Sequence, residues 1–482
     1  MKKFISVLLC ASLFLSAAAC GSTSNSETET GNINSEAEDE NSSVSKDNSE
    51  KTDKKTGEMP AEFTESTFSL VSAGYTHSMA VTEEGVLYTW GDNSKGQLGD
   101  GTNEDSSVPV KIMENVTAIS AGNKCSMAVT SDGSLYTWGY NVAGKLGNGT
   151  KEDVNTPQKI MENVTAISAG GMQSMALTAD GNLYTWGGNY AGQLGTGNHT
   201  DSSTPKKVKS LVIAISAGDH HSMAVTENGN LYVWGANEAG QIGNGTQGSD
   251  ESYDVCTPQK VMDYVKAIDA GMLCSMAANA YGSLYVWGRG CGGYPPVNNY
   301  GNYSSYSSNY SYYNYNSKNY SYGIYGTETE TAAETTTESE TAANDITTPQ
   351  ALSLNYVAEI SAGNGYNTAV NSAGSLYAWG EGYADEEETE TEEETEETTY
   401  SYWQYYQSYQ SSVYDNTSTN TNTNTDTPQK ITDGIKSVST GYSHSLAIGE
   451  DGNLYVWGSN EYGQLGDGTY KDKTEPEKIT GN

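Results

Sequence analysis

The pentapeptide Leu-Tyr-x-Trp-Gly recurs seven times, and its spacing limits what this chain can fold into. Its tryptophans are Trp90, Trp138, Trp186, Trp234, Trp287, Trp379 and Trp457, and the first three intervals are each 48 residues. A fixed period of this size marks a repeat architecture, in which each unit buries its apolar surface only against its neighbours. The later intervals are 53, 92 and 78 residues, which exceed 48 by 5, 44 and 30, and each surplus falls in a stretch of different composition. With those 79 residues set aside, the 415 residues from Phe68 to Asn482 make seven units of 48.

Within the unit 116–163, Thr117 to Gly122 reads as a short strand and Ser126 to Thr130 as a second. The Asp132-Gly133 pair suits a hairpin turn with positive φ, after which Leu135 to Trp138 returns as a third strand. Apolar residues occur at both parities, the pattern of a sheet covered on both faces. A glycine-rich loop from Gly144 to Thr150 follows, and Pro157 to Ile160 makes a fourth, outer strand with its proline at the start. Four short strands per repeat make a propeller blade, so the fold class expected is all-β, a seven-bladed β-propeller with two low-complexity loop insertions. Closing the ring is expected to need the last strand, Pro476 to Ile479, to pair in the blade that begins near Phe68, because an unclosed ring leaves two exposed edges.

These residues resemble the regulator of chromosome condensation (RCC1) repeat family. The family pattern is met by Ala73-Gly74, His77-Ser78, Gly85, the run Leu87-Tyr88-Thr89-Trp90-Gly91-Asp92-Asn93, and Gly96-Gln97-Leu98-Gly99. It recurs from Gly218 to Gly245 and from Gly441 to Gly468. The resemblance implies a seven-bladed propeller and carries with it guanine-nucleotide exchange as a weak functional expectation, since a propeller scaffold hosts many functions.

Before the repeats, Lys2 and Lys3 precede an uncharged, mainly apolar run from Phe4 to Ala19, the form of an export signal. Its end, Ala17-Ala18-Ala19-Cys20-Gly21, resembles a bacterial lipobox, so residues 1–19 are expected to be removed and Cys20 lipidated. Residues 20–67 read as a disordered acidic and polar linker, and 68–482 as the propeller. The expected location is the extracytoplasmic face of a bacterial membrane, reached through the lipid anchor only. The 24 basic and 61 acidic residues give a formal charge of −37, which disfavours nucleic acid as a partner.

Two blades break the pattern. Residues 291–346 and 381–426, rich in Tyr, Ser, Asn, Thr and Glu, read as disordered excursions from the same loop of neighbouring blades. Catalytic signals dissolve on comparison of the repeats. Gly139 to Lys145 approaches a phosphate-binding loop, but Leu146 stands where Ser or Thr is needed and sister loops carry Gln97, Gln193, Gln241 and Gln464 in place of Lys145. Gly243 to Gly248 has dinucleotide-fingerprint spacing without a βαβ unit around it. The chain is therefore read as no enzyme, with no cofactor and no metal.

One repeat position holds His77, Cys125, Gln173, His221, Cys274, Tyr366 and His444, and adjacent blades separate these by about 10 Å, too far for one ion. A structural role is expected. Cys256 and Cys291 lie in irregular loops at one blade junction and are candidates for a disulfide, with Cys125 and Cys274 as buried thiols, although four cysteines allow three pairings. His199 and His220 have no defined partner in the sequence.

The two positions after each Ala-Gly change freely while the framework around them is nearly constant. Tyr75, Met172, His220, Leu273 and Tyr442 from these positions form the candidate binding face, since loops of a closed propeller share one end of the ring. The expected function is a monomeric, non-enzymatic binding module for a cell-surface or secreted protein, or a glycan. Regulation or inhibition of an enzyme by occlusion is the alternative.

Overall fold

A computed structural model describes residues 58–248, 252–291, 345–380 and 425–479. Seven four-stranded antiparallel sheets are each built from consecutive strands. In the first blade these are β1 (Phe68–Ala73), β2 (His77–Thr82), β3 (Leu87–Gly91) and β4 (Ser106–Met113). The last blade runs Ile435–Thr440, His444–Gly449, Leu454–Gly458 and Lys473–Lys478. The seven-bladed β-propeller read from the repeat is the observed fold.

Burial explains the two-parity pattern. Every residue of β2 and β3 is buried, because neighbouring blades cover both faces of these middle strands. Outer strands such as Val154–Met161 are half-buried or exposed. Each inner strand starts with a register shift in its pairing, as between Phe68 and Leu70, a bulge that increases the local twist.

Polar bonds repeat at each junction with the period of the sequence. A serine hydroxyl on each inner strand accepts the backbone N–H at the end of the next one: Ala121 to Ser72, Ala169 to Ser120, Ala217 to Ser168, Ala270 to Ser216 and Thr440 to Ser361. At one junction Asp269 takes the serine's place and accepts from Ala362 at 2.7 Å. Burial pushes its carboxyl up to about 6, against the hydrogen bonds from Ala362 and Ser216.

A second bond set explains the Trp and Gly-Gln-Leu-Gly motifs together. Trp138 Nε1 and Ser126 Oγ both donate to the carbonyl of Gln97 in the preceding blade, at 2.9 and 2.7 Å. Trp186 and Ser174 use Lys145 in the same way, Trp234 and Ser222 use Gln193, and Trp287 and Ser275 use Gln241. The loop must pass directly under the indole. A Cβ on Gly99, whose φ is +81°, would lie 2.6 Å from Trp138 Nε1.

Closure differs from the expectation. The final strand pairs with Leu454–Gly458 inside its own blade and not with the blade of Phe68. The seam is closed instead by the bonds found at other junctions: Ala73 N–H to Ser439 Oγ, Trp90 Nε1 and Ser78 Oγ to the Gln464 carbonyl, and Phe68 N–H to the Gly452 carbonyl. Side-chain and turn contacts suffice because the middle strands of both blades are already fully paired.

The boundary at residue 68 is also corrected. A short helix, Ala61–Thr64, places Phe63 against Phe68, Tyr88 and Trp90 with ring centroids 4.9, 5.2 and 5.8 Å away. Phe63 is 1% exposed, so the end of the supposed linker covers the seam. Both insertions are trimmed as well. Cys291 is buried, Asp345 pairs with Arg289, and the outer strands of blades five and six are Ile346–Leu352 and Thr425–Thr432. The remaining tracts, 292–344 and 381–424, lie outside the described residues, as do the signal, Cys20 and the linker to residue 57.

Candidate functional site at the loop face

Strand direction puts two loops of each blade on one end of the ring: the short connection from inner to second strand, such as Gly74–Thr76, and the long connection from third to outer strand, such as Asp92–Asp105. The short loops meet around the axis. Tyr75 N–H donates to Gly122 carbonyl, Asn123 to Gly170, Gly171 to Gly218, Asp219 to Gly271, Met272 to Gly363, and Tyr442 to Gly74. The invariant glycine thus supplies an acceptor to the adjacent blade, while the residue after it is free to vary in its side chain.

Two of those side chains meet across the axis. Tyr75 Oη donates to Asp219 Oδ1 at 2.5 Å, a bond between the first and fourth blades, nearly opposite each other in a ring of seven. Asp219 Oδ2 lies 3.0 Å from His220 Nε2, Tyr190 meets His220 edge-on at 5.1 Å, and Tyr75 packs on Tyr442 at 4.9 Å. Burial works against ionising Asp219, but His220, Tyr75 and the Lys145 ammonium outweigh it and hold the carboxyl below its usual range. Burial likewise opposes protonation of His220, and the Asp219 carboxylate outweighs it, raising the imidazole's affinity for its proton.

Lys145 is the second basic side chain at this mouth. It is 1% exposed, and its Nζ donates to the carbonyls of Asn123 and, at 3.1 Å, Gly171. Burial depresses its pKa. The sister residues Gln97, Gln193, Gln241 and Gln464 fold back so that Oε1 accepts a backbone N–H two residues earlier. Lys145 has no acceptor and reaches inward instead.

Of the five residues placed on the binding face, Tyr75, Met172, Leu273 and Tyr442 are half-buried at this mouth. His220 departs from the expectation of an exposed loop residue: it is 6% exposed, held by Asp219 and Tyr190. Asp219 and Lys145 were missed by sequence reasoning. The signal available was a lysine where four other loops carry glutamine.

The histidines at the repeat position are structural. His77 Nε2 bonds Ser126 Oγ at 2.9 Å, His221 bonds Ser275 at 2.8 Å, and His444 bonds Ser78 at 2.8 Å, each joining one blade to the next. Among the described residues no group of three or more His, Cys, Asp or Glu side chains is placed to hold a metal ion. The expected Cys256–Cys291 pairing is corrected: Cys291 is bonded to Cys274, with Cα atoms 5.4 Å apart. Cys291 can reach because its carbonyl has taken the place of the glutamine carbonyl, accepting Trp379 Nε1 at 2.7 Å. Cys274 is therefore no thiol, whereas Cys125 is a buried one.

This chain belongs to the RCC1-like domain family, whose model matches residues 11–298. Models of the regulator of chromosome condensation (RCC1) repeat match residues 435–464 and 451–482. It is 52% identical to the ultraviolet-B receptor UVR8 of Arabidopsis thaliana over 42 residues, 9% of this chain and 10% of that protein. Over 42 residues it is 45% identical to human E3 ubiquitin-protein ligase HERC2, 9% of this chain and 1% of that protein. The matches thus span a tenth or less of these relatives. Among solved structures, Prp20p of Saccharomyces cerevisiae is similar with a TM-score of 0.58 and 20% identity, over 83% of this chain and 87% of that one. Human WBSCR16 is similar with a TM-score of 0.58 and 17% identity, over 82% and 94%. At these identities the solved structures speak for the fold alone.

Proposed function

We propose that this chain is a non-enzymatic binding module that docks a protein on the loop face of its propeller. The observation that carries this reading is the gathering of the variable residues at one mouth, where Tyr75 and Asp219 meet across the axis. Around that contact lie half-buried aromatic and apolar side chains, the composition of an interface core. The solved structure of Prp20p is described together with its binding to Gsp1p and histones, so protein binding has a precedent on a propeller of this shape. The formal charge of −37 favours a neutral or basic partner.

The test is capture from a cell-surface extract with crosslinks mapped to the loop face. Replacing Met172, Leu273 and Tyr442 together by Ser removes the ring contact on Tyr75 but spares the polar contacts of Tyr75, Asp219 and His220. This variant is expected to melt as the parent does and to lose tenfold or more in capture, about 1.4 kcal/mol or more. Undiminished capture would remove the site from this face. A glycan or an occluded enzyme recovered instead would replace the partner while keeping the face.

The export signal and lipobox-like Ala17-Ala18-Ala19-Cys20 support an anchor at the extracytoplasmic face of a bacterial membrane. Lipidated chains partition with membranes because two or more acyl chains give stable anchoring. Cys20→Ala is expected to move the protein to the soluble fraction or stop its processing. Membrane fractionation identical to the parent's would rule the anchor out.

A further inference from the structure

The fold brings together two residues that the sequence left without partners. Cys256, the second residue of the strand Val255–Met262 in blade four, lies with its Sγ 3.2 Å from Nε2 of His199 in the long loop of blade three. Nδ1 of the same ring is 2.6 Å from the Tyr190 carbonyl. A carbonyl only accepts, so Nδ1 carries the proton, and in the neutral ring Nε2 is left with a lone pair facing the thiol. The arrangement is nucleophile, base and a third group that orients the base. It is open to solvent, with Cys256 half-buried and His199 exposed.

Comparison with other junctions separates chemistry from scaffold. The position of Cys256 is taken by Asn155 and Ser203 in earlier blades, and that of His199 by Asn103 and Lys151. Asn155 Nδ2 donates to Asn103 Oδ1 at 3.1 Å, so the framework already joins these two positions by a hydrogen bond. Only the third-to-fourth junction converts it into a thiol and an imidazole. The backbone fixes the thiol as well: a Cβ on Gly192, whose φ is +75°, would come within 2.7 Å of Cys256 Sγ, so the sulfur rests on bare backbone. Its own carbonyl accepts Gly197 N–H at 2.8 Å.

We propose that Cys256 is a reactive thiol, activated by His199, that accepts small aliphatic disulfides as mixed-disulfide adducts. The Sγ proton passes to Nε2. The thiolate attacks one sulfur of the disulfide, the new S–S bond forms as the old one breaks, and the departing thiolate leaves with the electron pair and takes the proton from the imidazolium. The incoming disulfide is the oxidant, so no other co-reactant is needed. Cys125 is 1% exposed and Cys274 is bonded to Cys291, so neither competes for the reagent. Tyr190 links the site to the channel mouth, since its carbonyl orients His199 while its ring packs on His220. An adduct here would therefore stand on the rim of the loop face. The inference does not depend on what that face binds.

Oxidised glutathione is the probe, with the full chain, and the site and rate of adduct formation are read by peptide mass mapping. Cys256 is expected to carry the adduct, and its rate is expected to change little from about pH 8 to about pH 6, where an ordinary thiol slows by about tenfold per pH unit. His199→Asn restores the residue of the first blade and should melt as the parent does. It is expected to bring back the steep pH profile, reacting on the order of tenfold more slowly near pH 6. Cys256→Ser should abolish the adduct. The same rate and pH profile in His199→Asn as in the parent would reduce the pair to a structural hydrogen bond and overturn the proposal, as would an adduct mapped to Cys125 in place of Cys256.

Discussion

Acidification from about pH 7 to about pH 4.5 is expected to destabilise the propeller by on the order of 5 kcal/mol, before most carboxylates have titrated. Burial lowers the pKa of His77 to about 4 and those of His221 and His444 to about 3. Each ring is neutral in the folded state and would take a proton if unfolded. Below the ordinary histidine value of 6.5 the unfolded chain therefore binds more protons, and stability falls with pH until the folded pKa is reached. Asp269 works in the opposite direction between its unfolded value of 3.8 and its folded value of about 6, where the folded chain holds the extra proton, and this offsets part of the loss. Gln173 shows what removes the sensitivity: its Nε2 donates to the Gly218 and His221 carbonyls at the same repeat position. Replacing all three histidines by Gln should abolish the fall in urea midpoint on acidification and leave the smaller rise that Asp269 contributes. A parent midpoint that stays constant down to about pH 4.5 would contradict the account.

Truncating a junction tryptophan should have the next largest effect. Trp234 is fully buried among Met175, Leu177 and Leu183, and its indole donates to the Gln193 carbonyl at 2.9 Å. Trp234→Ala is expected to cost about 4 kcal/mol through the cavity and the lost bond. Trp234→Phe keeps most of the apolar contact and should cost about 1–2 kcal/mol. Trp457→Ala provides an internal comparison, since its indole donates at 3.4 Å to Tyr366 Oη and the ring is 5% exposed. It should be the milder of the two alanine variants in a urea melt, and equal losses would mean that the carbonyl bond adds nothing to the junction.

The blades were legible because one repeat reports the environment of all. Strands expected from Thr117 to Gly122 and from Leu135 to Trp138 are found at Val116–Ala121 and Leu135–Gly139. The outer strand is longer than expected: Pro157 to Ile160 lies inside Val154–Met161, whose half-buried or exposed residues carry little apolar signal. At the axis the same logic fails. A repeat predicts contacts between neighbouring blades, whereas Tyr75 and Asp219 meet across 144 residues, and variable residues there looked like solvent-facing loops. His199 and Cys256 are 57 residues apart and look unrelated until blades three and four are set side by side. The cysteine pairing was missed for a local reason. Cys291 follows Trp287 by four residues where Gln97 follows Trp90 by seven, which hides that Cys291 stands where Gln97 stands elsewhere, and so beside Cys274.

Because each blade keeps its four strands in sequence order, the ring has no seam of a special kind. Ala73 and Ser439 repeat the bond of Ala121 and Ser72, and Phe68 and Gly452 repeat that of Val116 and Gly85. Among the described residues, this junction differs by the cover of Phe63 on one side and the buried Ile479 on the other. A propeller laced by a shared sheet must gain or lose sequence in a way that respects the overlap. Here the unit of inheritance and the unit of structure coincide, so whole blades can be duplicated, exchanged or cut open at the turns between them, such as the one at Glu114 and Asn115, without dividing any sheet between two ends of the chain.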